Sequence, residues 1–589
     1  MSGASEQYAR IGAGSEPRWR SGGPGHDHDA MGAVLGINCF SHDTSACLLV
    51  DGIAASFAEQ ERFNRDQHTK AFPDDAIGFC LAEAGISAGE LEGVAFGHDA
   101  VVDFARGAKD AIRRAAPKRL AAQAFVDGRL LLREQAFRRR WGYRGPVFHV
   151  GHHKAHAASA FFPGPFDRAA VLTLDRGGDF LSTTLNAGEG NRIKTMAEVA
   201  NPHSLGEVYT ALTWYLGFRP NADEGKVMGL APYGTKRLTS ELRDLVDFRP
   251  DGLFEVNLDW FGYQREGRLL SSRFLDRFGP ARVPESEITE RHEDMAFAVQ
   301  NLIEEAALHV ARGLQLATGA TNLCVAGGVA LNSVMNTRLL REAGFEHVFV
   351  QPAASDAGNA LGAALWVWHQ ELGHPRAWSI EHAFLGASFG AKEQAEALSA
   401  QGLAFEEVRD PAAAAAQLLA DGKIVGWFQG RAEMGPRALG ARSILADPRK
   451  AEMKDAVNAR IKRREGFRPF APSILHERGA EYFESYYPTP FMLHVQTVRA
   501  EKRDVIPAVT HVDGTGRLQS VTRAFNQEFH HLIEEFDRLT GVPVVLNTSF
   551  NVRGEPMVHR PAEAVADYLG SDMDALVMGP YLATKDRPS

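Results

Sequence analysis

The sequence predicts an α/β protein in which a duplicated α/β core precedes a second α/β domain. A strand followed by a hairpin is predicted over residues 33–58, and the same pattern recurs over residues 169–199. Helical sequence follows each copy, so the repeat predicts two similar halves with a cleft between them. A break near His374-Pro375 and Gly386 then separates a further domain, which we place at residues 383–589.

The composition is that of a globular protein with several structural units. The 589 residues are too many for one core, and 44% of them are hydrophobic against 23% charged. A net charge of -10 argues against nucleic acid as a partner, because nucleic-acid binding needs a basic face. The four cysteines form no C-x-x-C pair, which fits a reducing cytoplasm.

The N-terminal stretch carries no targeting signal. Residues 1–30 are rich in Gly, Ser, Arg and His and predict a disordered tail rather than a signal peptide, with Met31 as a natural start. No run approaches the roughly eighteen apolar residues of a membrane span, so no membrane association is expected. These observations predict a cytoplasmic protein.

The predicted elements follow the duplicated pattern in chain order. The first copy contains strands at 33–40, 44–50 and 53–58, with a tight Asp51-Gly52 turn. The second copy contains strands at 169–174, 179–185 and 193–199. Helices are predicted at 75–84, 108–140, 206–217 and 293–318, with an insertion of mixed strands and turns at 237–290. Helix 108–140 is strongly basic, which is typical of a solvated face.

A histidine pair at the start of a predicted helix indicates a metal site. His152 and His156 are one helical turn apart, so both imidazoles face the same side. Asp175 ends an apolar run just before two glycines, and Asp356 lies among small residues that suit a tight loop. A mixed shell of histidine and carboxylate suits iron or zinc. The alternative is a surface helix that carries two histidines.

Two glycine-rich stretches of the first domain indicate contacts with a ligand. The buried strand after Asn322 runs into Gly327-Gly328 and opens a helix, where backbone N–H groups can hold a nucleotide phosphate. In Glu224-Gly-Lys-Val-Met-Gly-Leu-Ala-Pro-Tyr-Gly234 the glycines allow close approach of the backbone. Lys226 of this stretch is predicted to face a phosphate or a carboxylate.

The second domain concentrates basic residues in two stretches, 430–443 and 458–473. Arg437, Arg442, Lys462 and Arg468 would repel one another in a pocket without an anion, so we expect a phosphate held by guanidinium groups.

A surface basic helix at 459–464 is the alternative. It explains Arg463 and Arg464 but not Arg437 or Arg468. A third, polar stretch contains Asn547 and Ser549, which follow a strand and offer hydrogen bonds at its end.

In combination these motifs resemble the O-carbamoyltransferases of antibiotic and nodulation-factor biosynthesis, a family that includes the tobramycin carbamoyltransferase. The shared motifs, over residues 32–589, are H-H-x-x-H-A-A-S-A, E-G-K-V-M-G-L-A-P-Y-G, G-G-V-A-L-N, G-P-R-A-L-G-x-R-S, F-R-P-F-A-P-S and L-N-T-S-F-N. The resemblance implies a duplicated actin-like (ASKHA, Kae-type) carbamoyl-transfer domain at 31–382. It implies a YrdC-like α/β domain that forms carbamoyl adenylate at 383–589.

The resemblance also implies an ATP-dependent reaction in two stages. Carbamoyl phosphate is hydrolysed to carbamate, which ATP, with Mg²⁺, converts to carbamoyl adenylate in the YrdC-like domain. The Kae-like domain, which carries iron or a similar divalent metal, then transfers the carbamoyl group to a hydroxyl of a small-molecule natural product. The partners implied are therefore carbamoyl phosphate, ATP and the hydroxyl acceptor.

The resemblance assigns these roles to particular residues. It implies carbamoyl phosphate at Arg437, Lys462, Arg468, Asn547 and Ser549, and the metal at His152, His156, Asp175 and Asp356. It implies contacts with the adenylate from His156, Asp175, Gly206, Gly327, Gly328, Asn332 and Asp356.

His42 is expected near the acceptor hydroxyl as a general base, since its ordinary pKa is about 6.5. The alternative is a turn histidine satisfied by Asp43. Gln67 departs from the family, which usually has a lysine there, and Arg65 or Lys70 would have to supply the charge.

Three other functions stay open at this point. A hydrogenase-maturation carbamoyltransferase should carry an acylphosphatase-like domain and C-x-x-C zinc motifs, which we do not find in this sequence. A threonylcarbamoyl enzyme of tRNA modification fits poorly with the acidic net charge. A non-catalytic nucleotide-binding protein of the actin-like fold would leave the arginine clusters without a role. The acceptor is undefined, and a homodimer is the expected oligomer.

Overall fold

The computed structural model describes residues 32–113, 128, 132–263 and 268–585. They divide into two compact units, an N-terminal unit of residues 34–379 and a C-terminal unit that begins at Ile380. The predicted tail at 1–30 and part of the predicted helix 108–140 lie outside the described residues. None of the described helices is both long and apolar enough to cross a membrane.

The first sheet of the N-terminal unit contains β1 (Ala33–Asn38), β2 (Ser45–Val50), β3 (Ile53–Glu59), β4 (Gly93–Phe96) and β5 (Val147–His149). The strand order is β3-β2-β1-β4-β5. β2 and β3 form an antiparallel hairpin, and β1, β4 and β5 are parallel. The predicted Asp51-Gly52 turn joins the hairpin with both residues at positive φ, which this dipeptide accommodates.

The second sheet repeats this arrangement. Its strands are β6 (Arg168–Gly178), β7 (Leu181–Glu189), β8 (Arg192–Ala200) and, after an insertion that holds the separate antiparallel pair β9 (Val246–Phe248) and β10 (Phe254–Val256), β11 (Asn322–Ala326) and β12 (His347–Val350). The order β12-β11-β6-β7-β8 gives the same connectivity as the first sheet, read from the opposite edge. The predicted duplication of an α/β core is confirmed.

Helices follow the strands of the N-terminal unit. They are Glu61–Asn64, Asp74–Ala84, Ala100–Arg113, 132–141, His152–Phe161, Leu205–Tyr215, Glu224–Leu230, Thr239–Leu242, Ser272–Phe278, Glu290–Thr318, Ser333–Glu342 and Asn359–Trp366. Helix Glu290–Thr318 starts at a capping box of Thr289 and His292 and ends at Gly319 in the left-handed conformation. The helix predicted at 293–318 therefore begins slightly earlier, at its cap.

Two helices connect the sheets and approach each other closely. Helix His152–Phe161 packs on β6 and β11, and helix Asn359–Trp366 packs on β2 and β4. A Cβ at Gly362 would overlap the carbonyl oxygen of Ala155 in the facing helix. The two backbones can approach this closely only where glycine leaves out the side chain.

The C-terminal unit contains β13 (Glu406–Glu407), β14 (Val425–Phe428), β15 (Arg442–Ala446), β16 (Ala471–Leu475), β17 (Val495–Thr497), β18 (Thr515–Arg517), β19 (Gln519–Val521), β20 (Val544–Ser549), β21 (Ala575–Met578) and β22 (Tyr581–Thr584). Eight of them form a mixed sheet ordered β13-β22-β21-β14-β15-β20-β16-β19, and β17 pairs with β18. The helices are Ala391–Ala400, Pro411–Ala420, Glu452–Ala456 with the π-helical turn Val457–Lys462, Gly479–Tyr482, Gln527–Thr540 and Pro561–Leu569.

We predict that Gly362→Ala destabilises the protein by about 1–3 kcal/mol, because the added methyl group must push apart two packed helices. The thermal unfolding midpoint of the full chain measures this. Gly225→Ala is the matched control, since no heavy atom lies within 4 Å of a Cβ there and alanine favours helix. Its midpoint should equal or exceed that of the parent. An unchanged midpoint in Gly362→Ala would contradict the close contact.

Candidate metal centre and anion site

The four side chains predicted to bind a metal converge in the N-terminal unit. Ligand atoms of His152, His156, Asp175 and Asp356 all lie within 4.8 Å of one another. The Nε2 atoms of His152 and His156 are 3.1 Å apart, and Oδ1 of Asp356 lies 3.5 Å from each. Oδ2 of Asp175 lies 3.3 Å from Nε2 of His152. Residues that are distant in sequence thus share one site.

Asp175 is held at an irregularity of its strand. The register of β6 against β7 shifts between Leu174 and Gly178, so the strand continues past Asp175 instead of ending there as predicted. An irregularity of this kind re-aims a side chain and frees backbone groups. Oδ1 of Asp175 accepts from the Gly328 N–H at 2.9 Å, and Oδ2 accepts from the Gly177 N–H at 3.1 Å.

The other two elements of the site are also fixed by hydrogen bonds. Asp356 opens the 3₁₀ turn Asp356–Gly358, and the Ser45 hydroxyl donates to the carbonyl of Ala357 at 2.7 Å. The backbone N–H of His152 donates to Oδ2 of Asp179 at 2.5 Å, which holds the first turn of the helix.

The charges and donor types of this cluster fit a divalent metal. Burial alone would lower the pKa of His152, but Asp356 and Asp175 outweigh it and raise the pKa to about 9. Burial would raise the pKa of Asp175, yet His152 and His156 hold it well below its ordinary value. Two imidazoles and two carboxylates are a donor set that suits iron or zinc.

The neighbouring His153 is used elsewhere. Its Nδ1 lies 2.7 Å from the hydroxyl of Thr173, and its pKa is lowered to about 3 by burial and by the adjacent histidines. It is a neutral core histidine.

The three glycines predicted to contact the adenylate lie against Asp175 or its neighbours. Gly327 has φ 97°, and a Cβ there would overlap the backbone of β6. A Cβ added at Gly328 would lie 3.0 Å from Oδ1 of Asp175, and one added at Gly206 would lie 2.7 Å from the Cα of Arg176. The N–H of Gly328 donates to Asp175, and a short 3₁₀ turn, Gly328–Leu331, precedes the helix.

Asn332 and Lys226 have protein partners in this structure. The Asn332 side chain accepts from the N–H of Met335 at 3.1 Å and exchanges two hydrogen bonds of 3.0 Å with Gln300. A contact with adenylate would have to replace Gln300 or come from the backbone. Lys226 faces a carboxylate, that of Asp223, at 3.2 Å.

The hydrogen-bond partners of His42 indicate that its imidazole is protonated. Its Nδ1 lies 3.0 Å from Oδ1 of Asp43, and its Nε2 lies 2.9 Å from the carbonyl oxygen of Asn221. Both partners are acceptors, so both ring nitrogens carry a hydrogen. Burial would lower the pKa of His42, but Asp43 and the charge of Asp356 raise it to about 9. His42 is thus linked electrostatically to the metal cluster.

The sequence does not single out two further residues of this region. Asn359 places Nδ2 at 3.3 Å from Nδ1 of His152 and from Nε2 of His156. Its signal is a buried amide at the start of an otherwise apolar helix. His68 stacks its ring on His42, and only its position within the loop that contains Gln67 pointed to it.

Basic side chains gather in the C-terminal unit, and we call them the basic cluster: Arg437, Lys462, Arg464, Arg468 and Arg517. Burial lowers the pKa of four of them, and Arg468 lowers it further in each. The pKa of Arg437 falls to about 10 and that of Arg464 to about 9. Mutual repulsion of this kind is relieved by a bound anion.

Lys462 and Ser549, which we predicted to bind carbamoyl phosphate, contact each other. The buried ammonium of Lys462 donates to Oγ of Ser549 at 3.3 Å and to Oδ1 of Asn551 at 2.6 Å. Asn547 instead stabilises the loop that carries Arg437. Its Nδ2 donates to the carbonyl of Ala438 at 3.1 Å and to Oε1 of Gln519 at 3.0 Å.

Arg442 does not join the basic cluster, although we predicted it there. Its guanidinium donates to the carbonyl oxygens of Gln429, Gly430, Ala387 and Ala441 and lies 3.7 Å from the ring centroid of Phe428. It begins β15 and is fully buried, and backbone carbonyl oxygens accept hydrogen bonds from both of its terminal nitrogens.

Arg464 is the opposite case. The surface-helix interpretation assigned it to solvent together with Arg463. Arg463 is exposed and ends the π-helical turn at φ 44°, and the chain then reverses and places Arg464 beside Arg468. Arg517 lies at the end of β18, and no motif marks it.

Comparison with known proteins identifies the family. A family model described as carbamoyltransferase N-terminus matches residues 33–365, and one described as carbamoyltransferase C-terminus matches residues 416–585. The chain is 41% identical over 570 residues to nodulation protein NolNO of Sinorhizobium fredii. The aligned region covers 93% of this chain and 80% of that protein. It is 42% identical over 455 residues to nodulation protein NolO of Bradyrhizobium diazoefficiens, which covers 75% and 79%. The resemblance seen in the motifs is confirmed, and the chain belongs to the carbamoyltransferase family.

Proposed function

We propose that this carbamoyltransferase is an ATP-dependent O-carbamoyltransferase that acts through carbamoyl adenylate. Water hydrolyses carbamoyl phosphate to carbamate and phosphate. An oxygen of carbamate attacks the α-phosphorus of ATP, and pyrophosphate leaves. A hydroxyl of a small-molecule acceptor then attacks the carbamoyl carbon, AMP leaves, and the hydroxyl gives its proton to a base. We assign the first two steps to the C-terminal unit and the third to the N-terminal unit.

The basic cluster is the observation that carries this proposal. Lys462 is buried, the four arginines are half-buried, and their charges lower one another's pKa, so they favour an anionic guest. Guanidinium groups match the paired oxygens of phosphate, and carbamoyl phosphate and ATP both supply them. Lys462 stabilises the site, because its ammonium hydrogen-bonds the end of β20 and so connects it to the segment that carries Arg464 and Arg468.

The N-terminal unit has the groups that transfer from an adenylate requires. A divalent metal held by His152, His156, Asp175 and Asp356 would neutralise the adenylate phosphate and improve AMP as a leaving group. Asp175 and Asp356 alone would repel that phosphate. Gly206, Gly327 and Gly328 let the backbone pack directly against Asp175 and its neighbours, which fixes the loops beside the metal cluster where we place the nucleotide.

His42 accepts the acceptor's proton in this proposal. In the described geometry its Nε2–H donates to the carbonyl of Asn221, so the base form arises only when the ring loses that proton. The acceptor hydroxyl then takes the place of the Asn221 carbonyl at Nε2. Because the pKa of His42 is raised to about 9, the transfer rate should increase with pH between 7 and 9.

Arg468→Ala should lower carbamoyl-phosphate-dependent release of pyrophosphate from ATP by at least about 100-fold, because it removes a half-buried guanidinium that we assign to phosphate binding. A coupled pyrophosphate assay measures this. Arg463→Asn is the matched control, since Arg463 is exposed and asparagine tolerates its positive φ. Equal losses in the two variants would contradict the anion site.

His42→Asn should leave pyrophosphate release near the parent rate and lower carbamoylation of the acceptor by about 10²–10⁴-fold, the range of general base catalysis. Mass spectrometry of sugar, aminoglycoside and polyketide alcohols incubated with ATP and carbamoyl phosphate detects the product. Loss of pyrophosphate release in this variant would refute the division of labour between the units.

Asp175→Asn should lose the bound metal, because it removes the charge of a ligand from the cluster. Elemental analysis by mass spectrometry, after anaerobic incubation with Fe²⁺, gives the content per chain. His153→Asn is the control, since His153 hydrogen-bonds Thr173 and is not a ligand. Metal-depleted parent protein, resupplied with Mg²⁺ alone, should release pyrophosphate but form no product. Full transfer activity there would remove the metal from the reaction.

A further inference from the structure

Two imidazoles share one carboxylate oxygen beside the metal cluster. Nδ1 of His42 lies 3.0 Å and Nδ1 of His68 lies 2.7 Å from the same atom, Oδ1 of Asp43. The two rings are stacked, with centroids 4.5 Å apart and planes inclined by 27°. Both Nδ1 atoms thus converge on one carboxylate oxygen at hydrogen-bond distance. The trio therefore fits two N–H donors on one carboxylate oxygen.

The backbone that carries this trio is held in an unusual conformation. Asp43 and His68 both have positive φ, 55° and 57°, as do Phe40 at 62° and Arg65 at 58°. Residues other than glycine rarely adopt a positive φ, and this backbone conformation persists only where surrounding contacts impose it. Such positions cluster at sites where a side chain must be aimed.

The contacts that impose this conformation are present on both loops. Asn38 donates from Nδ2 to the carbonyl oxygens of His42 and Asp43, each at 3.0 Å. The backbone N–H of His68 donates to Oε2 of Glu61 at 2.9 Å. The two loops are thus built to bring His68 against Asp43.

We propose that His68 is a positioning residue for carbamoyl transfer: its hydrogen bond to Asp43 fixes the carboxylate that orients His42, so that Nε2 of His42 meets the acceptor hydroxyl. The proposal rests on the function proposed above for His42. A carboxylate that holds an imidazole sets the direction of the other ring nitrogen. Without His68, Asp43 can rotate and the ring of His42 can tilt, and a displacement of about 1 Å costs on the order of 100-fold in rate.

Several charged groups act on the trio. His42 is influenced by Asp43 and Asp356, and His68 by Asp43, His42 and Glu61. Glu59, at the end of β3, lies close enough to Asp43 for their charges to interact. When His68 is removed, His42 becomes the imidazole partner that remains on Asp43, so the pKa of His42 should rise.

Two substitutions in the full-length protein separate the hydrogen bond from the ring contact. His68→Phe keeps an aromatic ring but removes the donor, and phenylalanine is tolerated at positive φ in this chain, at Phe40 and Phe180. His68→Asn removes the ring but keeps an N–H donor near the position of Nδ1. Thermal unfolding midpoints and pyrophosphate release check that both variants remain folded and form the adenylate.

The readouts are transfer kinetics and the titration of His42. His68→Phe should lower kcat for transfer by about 10–100-fold with KM for the acceptor little changed, and should move the pH profile to higher pH. His68→Asn should restore most of kcat, because it keeps a donor to Asp43, and should shift the profile less than His68→Phe does, because that donor still stabilises the carboxylate. NMR of the protein labelled with ¹³C at histidine Cε1, with the His42 signal assigned through His42→Asn, should show the same pattern without any acceptor.

Each outcome decides the proposal. An unchanged His42 titration in His68→Phe would overturn it, as would a kcat that His68→Asn fails to restore. The NMR titration does not depend on the reaction. If the titration responds as expected but no variant or parent protein forms adenylate, then the proposed function fails while the coupling of His68 to His42 stands.

Discussion

The close contact between helices His152–Phe161 and Asn359–Trp366 is the constraint on which the N-terminal site depends. Glycine at position 362 lets the two backbones meet, and this contact brings the histidines of one helix to the turn that carries Asp356. The duplicated sheets then supply the remaining groups, because Asp175 lies in β6 and is held by the N–H of Gly328 after β11. A larger side chain in this contact would separate ligands that no local hydrogen bond could bring back together.

Both sites concentrate charge in buried and half-buried positions. In the N-terminal unit, Asp175 and Asp356 lie close to His152 and His156, and the four side chains could together bind a cation. In the C-terminal unit, half-buried arginines repel one another, and a bound anion would relieve that repulsion. Structures tolerate such arrangements where a ligand completes them, and perturbed pKa values accordingly gather at functional sites. The charge pattern of each unit thus complements a different part of the proposed reaction, phosphate in one and a metal-bound adenylate in the other.

Much of the fold and part of the site could be predicted from local sequence patterns. Alternating strands, the Asp51-Gly52 turn and the repeated hairpin were enough to predict two similar sheets, because each depends on neighbours in the chain. His152 and His156 were predicted to face one side because a helix places residues one turn apart together. The pairing of these histidines with Asp175 and Asp356 came from the resemblance and from tight-loop composition.

The amino-acid order by itself determined the elements, the histidine pair and the basic character of the loops around Arg437 and Arg468, since these follow from periodicity and residue type. Only the tertiary structure decided which of several similar arginines point into the cluster: Arg442 is satisfied by backbone carbonyls, Arg464 turns inward and Arg517 arrives from β18. It also decided that His68 reaches Asp43. The physical reason is that the burial and the partners of a charged side chain depend on strand register and on chain reversals. These bring together residues that are far apart in the sequence, so the local sequence around one residue does not indicate the other.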